Sequence, residues 1–549
     1  MGGGVIPLCA LPPSPLNSIS RSREVLSVSR VCGTALTGID GVCIEVEVRI
    51  SSQLPRVDIV GLPEAAVRES AARVRAAISS IGEKFPDRRV TINLAPANLK
   101  KSGAGLDLPI AVGILAASGA IEAEAIEGRV FIAELALDGR LRPVRGALAQ
   151  VIAARDKGCT AAFVAEQNAN ESAIAPGIEV FGANDLKQVI VHLRNAELIS
   201  PRVPPDFADS GINPDSHADS HADSHAGMDA GKSRPCLSEV KGQEGAKRAL
   251  EVAAAGGHAL LLSGPPGSGK TMLARRLPGL LPPMYIEEAL EVTQIQGSTL
   301  QVNAERPLIR TRPFRSPHHT ASSAGMLGGG SPAMPGEVTL AHHGVLFLDE
   351  LPEFDRRTLE SLREVLEGRK VRLARAGVSC VFPAHFQLIA AANPCPCGWY
   401  QSGVRDCRCD DNTIARYQQR VSGPLLDRID LHVTVPAQPW SQLEGPSNGP
   451  TSAEVRERVF DARKRQNDRG VRCNAEIPDA KLEVLVAATP EANALLGRAV
   501  DRFKLSARAA RHVLRSARTI ADLAQMPKVE PASIAEALAT RIESRTPAI

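Results

Sequence analysis

Aromatic residues are scarce in this chain of 549 residues, of which they make up 3%. Proteins that bind single-stranded nucleic acid without regard to sequence use many exposed aromatic rings as stacking platforms, so we do not expect a broad surface of that kind. An excess of charge of one sign is also lacking. The chain has 64 Lys and Arg residues and 61 Asp and Glu residues, so its net charge is +3. Bulk charge therefore does not favour nucleic acid or a membrane, and any such binding depends on local patches.

Cysteines and long apolar runs are few as well. Eleven cysteines are too few for a disulfide-stapled scaffold, and four of them crowd between Cys395 and Cys409, which indicates a metal site or a reducing compartment. No apolar run approaches the roughly 18 residues of a membrane-spanning helix. The first residues lack a basic segment ahead of their short apolar stretch. We therefore expect a cytoplasmic protein with no membrane partner.

Changes in composition predict an N-terminal domain between two irregular segments. Residues 1–27 are rich in Gly, Pro and Ser and predict a flexible extension, whereas 28–195 alternate strand-like and helix-like stretches and predict an α+β domain. A disordered linker is predicted at 196–236, where DSHA occurs three times. Its repeated histidines could bind a metal from one helix face, but no apolar stripe supports such a helix; they are His217, His221 and His225.

The next segment, 237–440, predicts a parallel sheet. Near-continuous apolar stretches at 252–264, 344–350 and 386–394 are typical of strands that are covered on both faces. A final helical block is predicted at 450–545. Together the segments predict an α/β multidomain protein.

The residues GPPGSGKT at 264–271 lie between a predicted strand and a predicted helix, the context in which G-x-x-x-x-G-K-[ST] binds phosphate. Backbone N–H groups of such a loop close around phosphate oxygens. Lys270 would reach the β and γ phosphates, and the Thr271 hydroxyl would hold Mg²⁺. The predicted cofactors are therefore ATP and Mg²⁺, bound by Gly264, Pro265, Pro266, Gly267, Ser268, Gly269, Lys270 and Thr271.

Two further strand ends carry polar side chains suited to triphosphate hydrolysis. Asp349 and Glu350 follow VLFL. Asp349 would hold the magnesium, and Glu350 would orient and deprotonate the attacking water. An acidic pair at a strand end is otherwise the start of a polar loop, but its combination with the glycine-rich loop favours catalysis. Asn393 follows the stretch FQLIAAA, where it would contact the γ phosphate or the water.

With Walker A, Walker B and sensor 1 in this order, the sequence resembles the AAA+ ATPases. Five long stretches narrow the resemblance to the magnesium-chelatase-like branch and its bacterial ComM/YifB group: VKGQEGAKRALEVAAAGGH (240–258), RPFRSPHHTAS (312–322), ANPCPCG (392–398), SGPLLDRIDLHV (422–433) and LSARAARHVLRSARTIADL (505–523). The resemblance implies an N-terminal Lon-protease-like domain of the ribosomal S5 type, a central AAA+ domain with a P-loop parallel sheet, and a C-terminal helical lid.

Two arginines take their predicted roles from this resemblance. Arg428 of LLDRID matches the arginine that a neighbouring subunit supplies to the site, where a guanidinium stabilises charge on the γ-phosphoryl oxygens. The alternative is a surface arginine paired with Asp427 or Asp430. An arginine that acts in trans implies a ring, in this family a homo-hexamer. Arg508 matches the sensor 2 arginine, and it begins a run whose spacing predicts one basic helix face, with Arg511, Arg515 and Arg518.

A hairpin of two short strands is predicted at 370–384, around Ala376 and Gly377. The resemblance places such a hairpin in the central pore of DNA-translocating relatives. Its cations, repeated around a ring, could track a phosphate backbone without reading bases. An ordinary exposed hairpin is the alternative. The cations are Lys370, Arg372 and Arg375, and a second basic pore candidate is the loop with Arg312, Arg315, His318 and His319.

The cysteine cluster consists of two C-x-C pairs, Cys395 with Cys397 and Cys407 with Cys409. Four thiolates suit tetrahedral Zn²⁺ in a structural site, although gaps of one residue are shorter than those of most zinc motifs. A redox-active or unligated cluster is the alternative.

The resemblance implies an ATP hydrolase that moves along branched or single-stranded DNA and promotes branch migration of recombination intermediates in natural transformation. One rival is a chelatase-type motor that remodels a protein partner, although the last block has no obvious acidic metal-binding module. Another is an ATP-dependent protease, which needs a serine nucleophile and a lysine. Lys100, Lys101 and Ser102 are available, but Gly105 lies where the serine is expected. A third rival is a nucleotide-gated scaffold, which would hydrolyse ATP slowly and at a rate that DNA does not change.

Overall fold

The structure is a computed structural model that describes residues 28–99, 101, 103, 105–204, 235–299, 307–330, 332–375, 378–444 and 449–542. The predicted extension at 1–27, the three linker histidines and the hairpin residues Ala376 and Gly377 lie outside the described residues.

The N-terminal domain is built on a mixed sheet. Its strands are β1 (Val28–Thr37), β2 (Asp40–Ser51), β3 (Arg56–Val60), β4 (Arg89–Ala95), β5 (Arg129–Ile132), β6 (Glu134–Leu135), β7 (Leu141–Arg142), β8 (Ala161–Ala165) and β9 (Glu179–Ala183). Its helices are α1 (Ala65–Ser80), α2 (Asp107–Ala117), α3 (Ala147–Asp156), α4 (Glu166–Ser172) and α5 (Leu186–Leu193). The main sheet has the order β3-β4-β2-β1-β5-β8-β9, in which both neighbours of β2 run antiparallel to it and the other pairs are parallel.

Helix α2 lies in the core of this domain, because nearly all of its side chains are buried. Gly113 permits this packing, since a Cβ at that position would lie 2.8 Å from Val48 on β2. The helix therefore packs directly onto the sheet.

The central domain contains β10 (Leu260–Ser263), β11 (Phe314–Arg315), β12 (Gly328–Gly329), β13 (Met334–Pro335), β14 (Val345–Leu348), β15 (Lys370–Arg375), β16 (Val378–Pro383), β17 (Gln387–Ala392) and β18 (Leu431–Thr434). Its helices are α6 (Glu244–Gly256), α7 (Lys270–Ala274), α8 (Ile286–Gly297), α9 (Ser323–Leu327), α10 (Glu337–Leu340), α11 (Arg356–Gly368), α12 (Asp411–Gln418), α13 (Gly423–Leu426) and α14 (Trp440–Glu444). Five strands form a parallel sheet in the order β11-β14-β17-β10-β18, as the apolar stretches predicted.

One predicted strand is shorter than its apolar stretch. Residues 252–256 belong to the end of α6, and only Leu260–Ser263 form β10. The end of α6 is buried on all sides, so its residues are as apolar as those of the strand that follows. Apolar character alone does not separate a buried helix end from a buried strand, and the prediction for 252–264 was wrong in its first half.

The C-terminal region is helical, with α15 (Ser452–Asp468), α16 (Leu482–Val486), α17 (Pro490–Phe503), α18 (Ala507–Leu523) and α19 (Pro531–Ile542). These helices share one apolar core with the central sheet, in which Leu250 of α6 and Ile389 of β17 pack in the same cluster as Val513 of α18. Within the parts of the chain that the structure describes, no helix is both long and apolar enough to cross a bilayer.

The N-terminal domain contacts the central domain at the base of the β15–β16 hairpin. Ile39, in the turn between β1 and β2, is buried in the same apolar cluster as Phe382 of β16. A second contact is the hydrogen bond from the Gly146 amide to the Gly297 carbonyl, 3.0 Å long. The N-terminal domain thus packs against the base of the β15–β16 hairpin and against the end of α8.

Candidate active site

The glycine-rich loop joins the end of β10 to the start of α7. Gly267 and Gly269 have φ values of +76° and +94°, which is the left-handed region that glycine adopts without strain. A Cβ on Gly264 would lie 2.2 Å from the Val435 carbonyl oxygen, so this glycine is required by a close backbone approach. The sequence therefore folds here into a tight turn at the carboxyl edge of the parallel sheet.

Lys270 lies under this loop and meets Asn393. Its Nζ donates hydrogen bonds to the Gly264 and Pro265 carbonyls at 2.7 and 2.9 Å and to Asn393 Oδ1 at 3.2 Å. Burial lowers the pKa of Lys270, while the charges of Asp349 and Glu350 oppose that shift. A buried ammonium that binds only neutral oxygens is well prepared to accept phosphate oxygens in exchange.

Thr271 and Asp349 also meet at this edge. The Thr271 hydroxyl donates to Asp349 Oδ2 at 2.8 Å, and the amide of Glu350 donates to Asp349 Oδ1 at 3.0 Å. A hydroxyl and a carboxylate are the oxygen ligands that Mg²⁺ takes beside nucleotide phosphates, where it keeps several waters. The residues present therefore fit a magnesium ion that is shared with a bound triphosphate.

Glu350 projects from the strand end into a half-exposed position. Its φ of +52° is unusual for a residue other than glycine, and such local strain is common in active sites. His319 Nδ1 lies 3.2 Å from Glu350 Oε2. The sequence predicted His319 as part of a basic pore loop, whereas the structure places it against the acidic pair.

The other cations of that loop are engaged within the chain. Arg312 donates to the Pro282 carbonyl at 2.7 Å and pairs with Glu288 at 3.1 Å, while Arg315 pairs with Glu337 at 2.7 Å. These contacts hold the loop to α8 and α10. They leave little free positive charge for a DNA backbone.

Arg428 and Arg508 converge on a residue that the sequence did not single out. Both guanidinium groups donate an Nη2 hydrogen bond to Oε1 of Glu367 at the end of α11, and that of Arg508 is 2.8 Å long. Arg428 also donates to the Pro424 carbonyl at 2.6 Å. Neither Asp427 nor Asp430, the partners considered for Arg428, takes that role among the described contacts.

The prediction of one basic face on α18 is wrong for Arg518, and the charges of Arg511 and Arg515 are paired. Arg518 is buried, donates to the Met526 carbonyl at 2.6 Å and pairs with Asp522 at 3.0 Å. Arg511 and Arg515 both pair with Asp479, at 2.7 and 2.6 Å. Helical spacing placed these arginines on one side, but the connection around α16 packs against that side and neutralises it.

A cavity of about 840 Å³ lies next to the glycine-rich loop, and the sequence analysis missed it. Gln243 links the cavity to the loop, because its Nε2 donates to the Ser268 and Pro436 carbonyls at 3.1 and 2.6 Å. The stretch VKGQEG, which contributed to the family resemblance, was the signal for it. Its other walls come from α6, from the end of β18 and the residues that follow it, and from α19. They include Ala246, Arg248, Ala249, Val433, Pro439, Glu536, Ala539 and Thr540.

The four predicted cysteines come together. The Sγ atoms of Cys395, Cys397 and Cys407 are 3.4 to 3.7 Å apart, and all four Sγ atoms, with that of Cys409, lie within 4.8 Å of one another. Sulfur atoms around tetrahedral zinc are about 3.8 Å apart. Hydrogen bonds from the backbone of Arg408 and Trp399 lower the pKa of Cys397 to about 6. The cluster could therefore bind zinc.

Of the candidate peptidase residues, the structure describes Lys101 and Gly105 but not Lys100 or Ser102. Lys101 is buried and its ammonium donates to the Pro96 carbonyl, while Gly105 packs against Val144. Ser102 lies outside the described residues. The described part of this loop therefore offers no serine for Lys101 to activate.

Three family profiles match the chain. They are "Magnesium chelatase, subunit ChlI" at residues 236–443, "Subunit ChlI of Mg-chelatase" at 46–168 and "Magnesium chelatase, subunit ChlI C-terminal" at 449–541. In that order, they cover the central, N-terminal and C-terminal parts of the structure. The prediction of a magnesium-chelatase-like protein is confirmed.

Individual relatives extend the match to almost the whole chain. Competence protein ComM of Haemophilus influenzae is 40% identical over 517 residues, which are 94% of this chain and 98% of ComM. YifB of Escherichia coli is 41% identical over 523 residues, 95% of this chain and 98% of YifB. The magnesium-chelatase 67 kDa subunit of Heliobacterium mobile is 29% identical over 234 residues, 36% of this chain and 30% of that subunit. The chain therefore belongs to the magnesium-chelatase ChlI family of AAA+ ATPases, which implies ATP hydrolysis, and within it is related to ComM and YifB.

Proposed function

We propose that this protein is a DNA motor of the ComM kind, which hydrolyses ATP between neighbouring copies of the chain in a ring of six. The observation that best supports ATP hydrolysis is that polar side chains that follow three strands lie together at one edge of the sheet. Lys270 donates a hydrogen bond to Asn393, and Thr271 donates one to Asp349. Since these strands are parallel neighbours, their carboxyl ends face the same cleft.

Each of these side chains has its own task in the proposed reaction. The glycine-rich loop and Lys270 bind the phosphates, and Thr271 and Asp349 hold Mg²⁺, which neutralises charge on the phosphate oxygens when bound. Glu350 orients the attacking water and accepts its proton. Asn393 contacts the γ phosphate or the water, and the cavity beside Gln243 has the size and the mixed apolar and polar lining that a nucleoside requires.

The second half of the site comes from the neighbouring copy. Arg428 and Arg508 sit together on Glu367 within their own chain. A pair of guanidinium groups offered to the next protomer would stabilise the charge that spreads over the γ-phosphoryl oxygens in the transition state. A closed ring supplies every site with such a pair.

DNA is the proposed track, and the β15–β16 hairpin is the proposed contact. Lys370 and Arg372 are exposed on one side of β15, whereas Val371 between them is buried. Among the described strands, β15 and β16 pair with each other and not with the parallel sheet. Repeated around a ring, these cations would contact successive phosphates without reading bases, which suits migration of branched DNA.

The proposed function is tested by measuring the ATPase rate with and without forked or four-way DNA. We expect DNA to raise the rate several-fold and the protein to move the branch point of a labelled four-way junction. An ATPase that neither binds DNA nor responds to it would contradict the DNA motor and favour a motor that remodels a protein partner.

Replacing Lys370 and Arg372 together with alanine is expected to weaken DNA binding about tenfold or more, because each protomer loses two phosphate contacts. Fluorescence anisotropy at several salt concentrations measures this loss, and the slope of log K against log salt should become shallower. Lys464→Ala, an exposed cation on α15, is the matched control. If the double variant binds DNA with the affinity and the salt slope of the wild-type protein, the hairpin does not contact DNA.

We also propose that the four-cysteine cluster holds a structural zinc ion. The cluster begins two residues after Asn393 and packs on the glycine-rich loop, since a Cβ on Gly398 would lie 2.4 Å from Pro266. The Tyr400 amide donates to the Cys395 sulfur at 3.4 Å, as backbone amides do around bound thiolates. A zinc ion there would fix the loop 395–409 against the phosphate site.

Purified protein is expected to contain about one zinc per chain by elemental analysis, and Cys407→Ser to lose most of it, since three sulfurs leave a structural site open. Cys236→Ser, outside the cluster, should keep the metal. Zinc-free wild-type protein with four titratable thiols in this cluster would contradict the site.

A further inference from the structure

Glu367 lies where the end of α11 meets Arg428, which follows α13, and Arg508 of α18. Its Oε1 accepts hydrogen bonds from both Arg428 and Arg508, and it is the penultimate residue of α11. Half of the Glu367 side chain is exposed, whereas that of Arg428 is 6% exposed. The hydrogen bond from Arg508 and the charges of both arginines lower the pKa of Glu367, so the carboxylate is ionised over the physiological range.

One carboxylate does not satisfy two guanidinium groups. The Nε of Arg428 is buried and has no hydrogen-bond partner among the described residues. Burial lowers the pKa of Arg428 most, and the neighbouring positive charge of Arg508 lowers it further. A second anion, such as the γ phosphate of a nucleotide on the neighbouring copy, would relieve this excess of positive charge.

Helix α11 connects Glu367 to the chain's own catalytic edge. The helix starts six residues after Glu350, where Asp355 caps it by accepting from the amides of Arg357 and Thr358 at 3.0 and 3.3 Å. Leu359 and Leu362 are buried along its inner face. A helix of 13 residues is about 20 Å long and moves as one body when its inner face is packed.

The same end of α11 also begins the hairpin. Arg369 has a φ of +51°, pairs with Glu476 at 2.9 Å and accepts at its carbonyl from the Ala384 amide at 2.9 Å, which closes the hairpin base. Lys370, the first cation of the hairpin, follows directly. A displacement of Glu367 therefore moves the strand that carries the proposed DNA contacts.

We infer that Glu367 is a positioning residue that couples ATP hydrolysis to DNA movement, an inference that rests on the proposed function. When the γ phosphate of the neighbour is present, Arg428 and Arg508 divide their hydrogen bonds between it and Glu367. When that phosphate leaves, the arginines return to Glu367 alone, and the end of α11 shifts with the hairpin. The two anions compete for the same donors, so the position of the hairpin depends on the neighbour's nucleotide.

The test is the coupling ratio, the number of base pairs of branch migration per ATP hydrolysed, in full-length rings of Glu367→Gln. We expect the ratio to fall at least fivefold, because a neutral amide no longer competes with phosphate for the arginines. Glu367→Asp should restore part of it. Glu364→Gln, an exposed carboxylate on the same helix, is the matched control.

A purely structural role would lower hydrolysis and movement in proportion and leave the ratio at the wild-type value, which would overturn the inference. The double variant Glu367→Gln/Arg508→Ala should be no worse in coupling ratio than the more impaired single variant, since both act on one contact. Additive losses would also contradict it. If Arg428→Ala keeps full ATPase activity, the shared site itself fails, whereas loss of activity there with an unchanged ratio in Glu367→Gln rejects only the coupling.

Discussion

Arg428→Ala protein is expected to lose ATP hydrolysis by roughly three orders of magnitude, and to regain it when mixed with Lys270→Ala protein, which is also inactive alone. The reason is that each proposed site takes Lys270 from one copy and Arg428 from the next. In a random mixture of equal amounts, about a quarter of the interfaces combine an intact loop with an intact arginine. We therefore expect about a quarter of the wild-type rate after subunit exchange.

The control for this experiment is a mixture of Lys270→Ala with Glu350→Gln protein. Both residues act from the same copy of the chain, so no arrangement of these two variants contains a complete site, and the mixture should stay inactive. ATPase rates across mixing ratios, together with the mass of the assembly in solution, provide the measurement. An inactive first mixture, or a protein that stays a single protomer at saturating ATP, would contradict the shared site.

The residues of this site that follow neighbouring strands could be predicted from the sequence. Lys270, Asp349 and Asn393 each follow a short apolar stretch, and parallel strands bring their carboxyl ends to one edge whatever the details of the connections. The hydrogen bond between Lys270 and Asn393 spans 123 residues of sequence, yet it follows from that rule alone. The local sequence pattern and the parallel topology were sufficient to predict that these side chains lie together.

Other contacts depend on how separate elements pack, and no local pattern reports that. Glu367 looks like any acidic residue near a helix end, and only the approach of α13 and α18 makes it the partner of two arginines. Arg518 has the spacing of a surface residue but is buried by the residues after α18. Gln243 precedes α6 with a φ of +59°, and its side-chain amide reaches the loop across 25 residues of sequence.

Glu350→Gln is expected to bind ATP with nearly wild-type affinity and to hydrolyse it between a hundred and ten thousand times more slowly, in the range of about 10²–10⁴ for loss of a general base. Gln keeps the size of the side chain and its position beside His319, but an amide does not accept a proton from water. The phosphate contacts of Lys270 and the magnesium ligands remain. Binding and catalysis should therefore separate cleanly in this variant.

Nucleotide binding by fluorescence titration and turnover by phosphate release are the two measurements. Glu353→Gln is the matched control, because Glu353 lies one turn further along and pairs with Arg420 at the surface instead of facing the site. Should Glu350→Gln keep more than a tenth of the wild-type rate, another group must accept the proton, and His319, which is 3.2 Å away, becomes the first candidate. His319→Ala is then decisive: as a support for Glu350 it costs less than Glu350→Gln, whereas as the base it costs more.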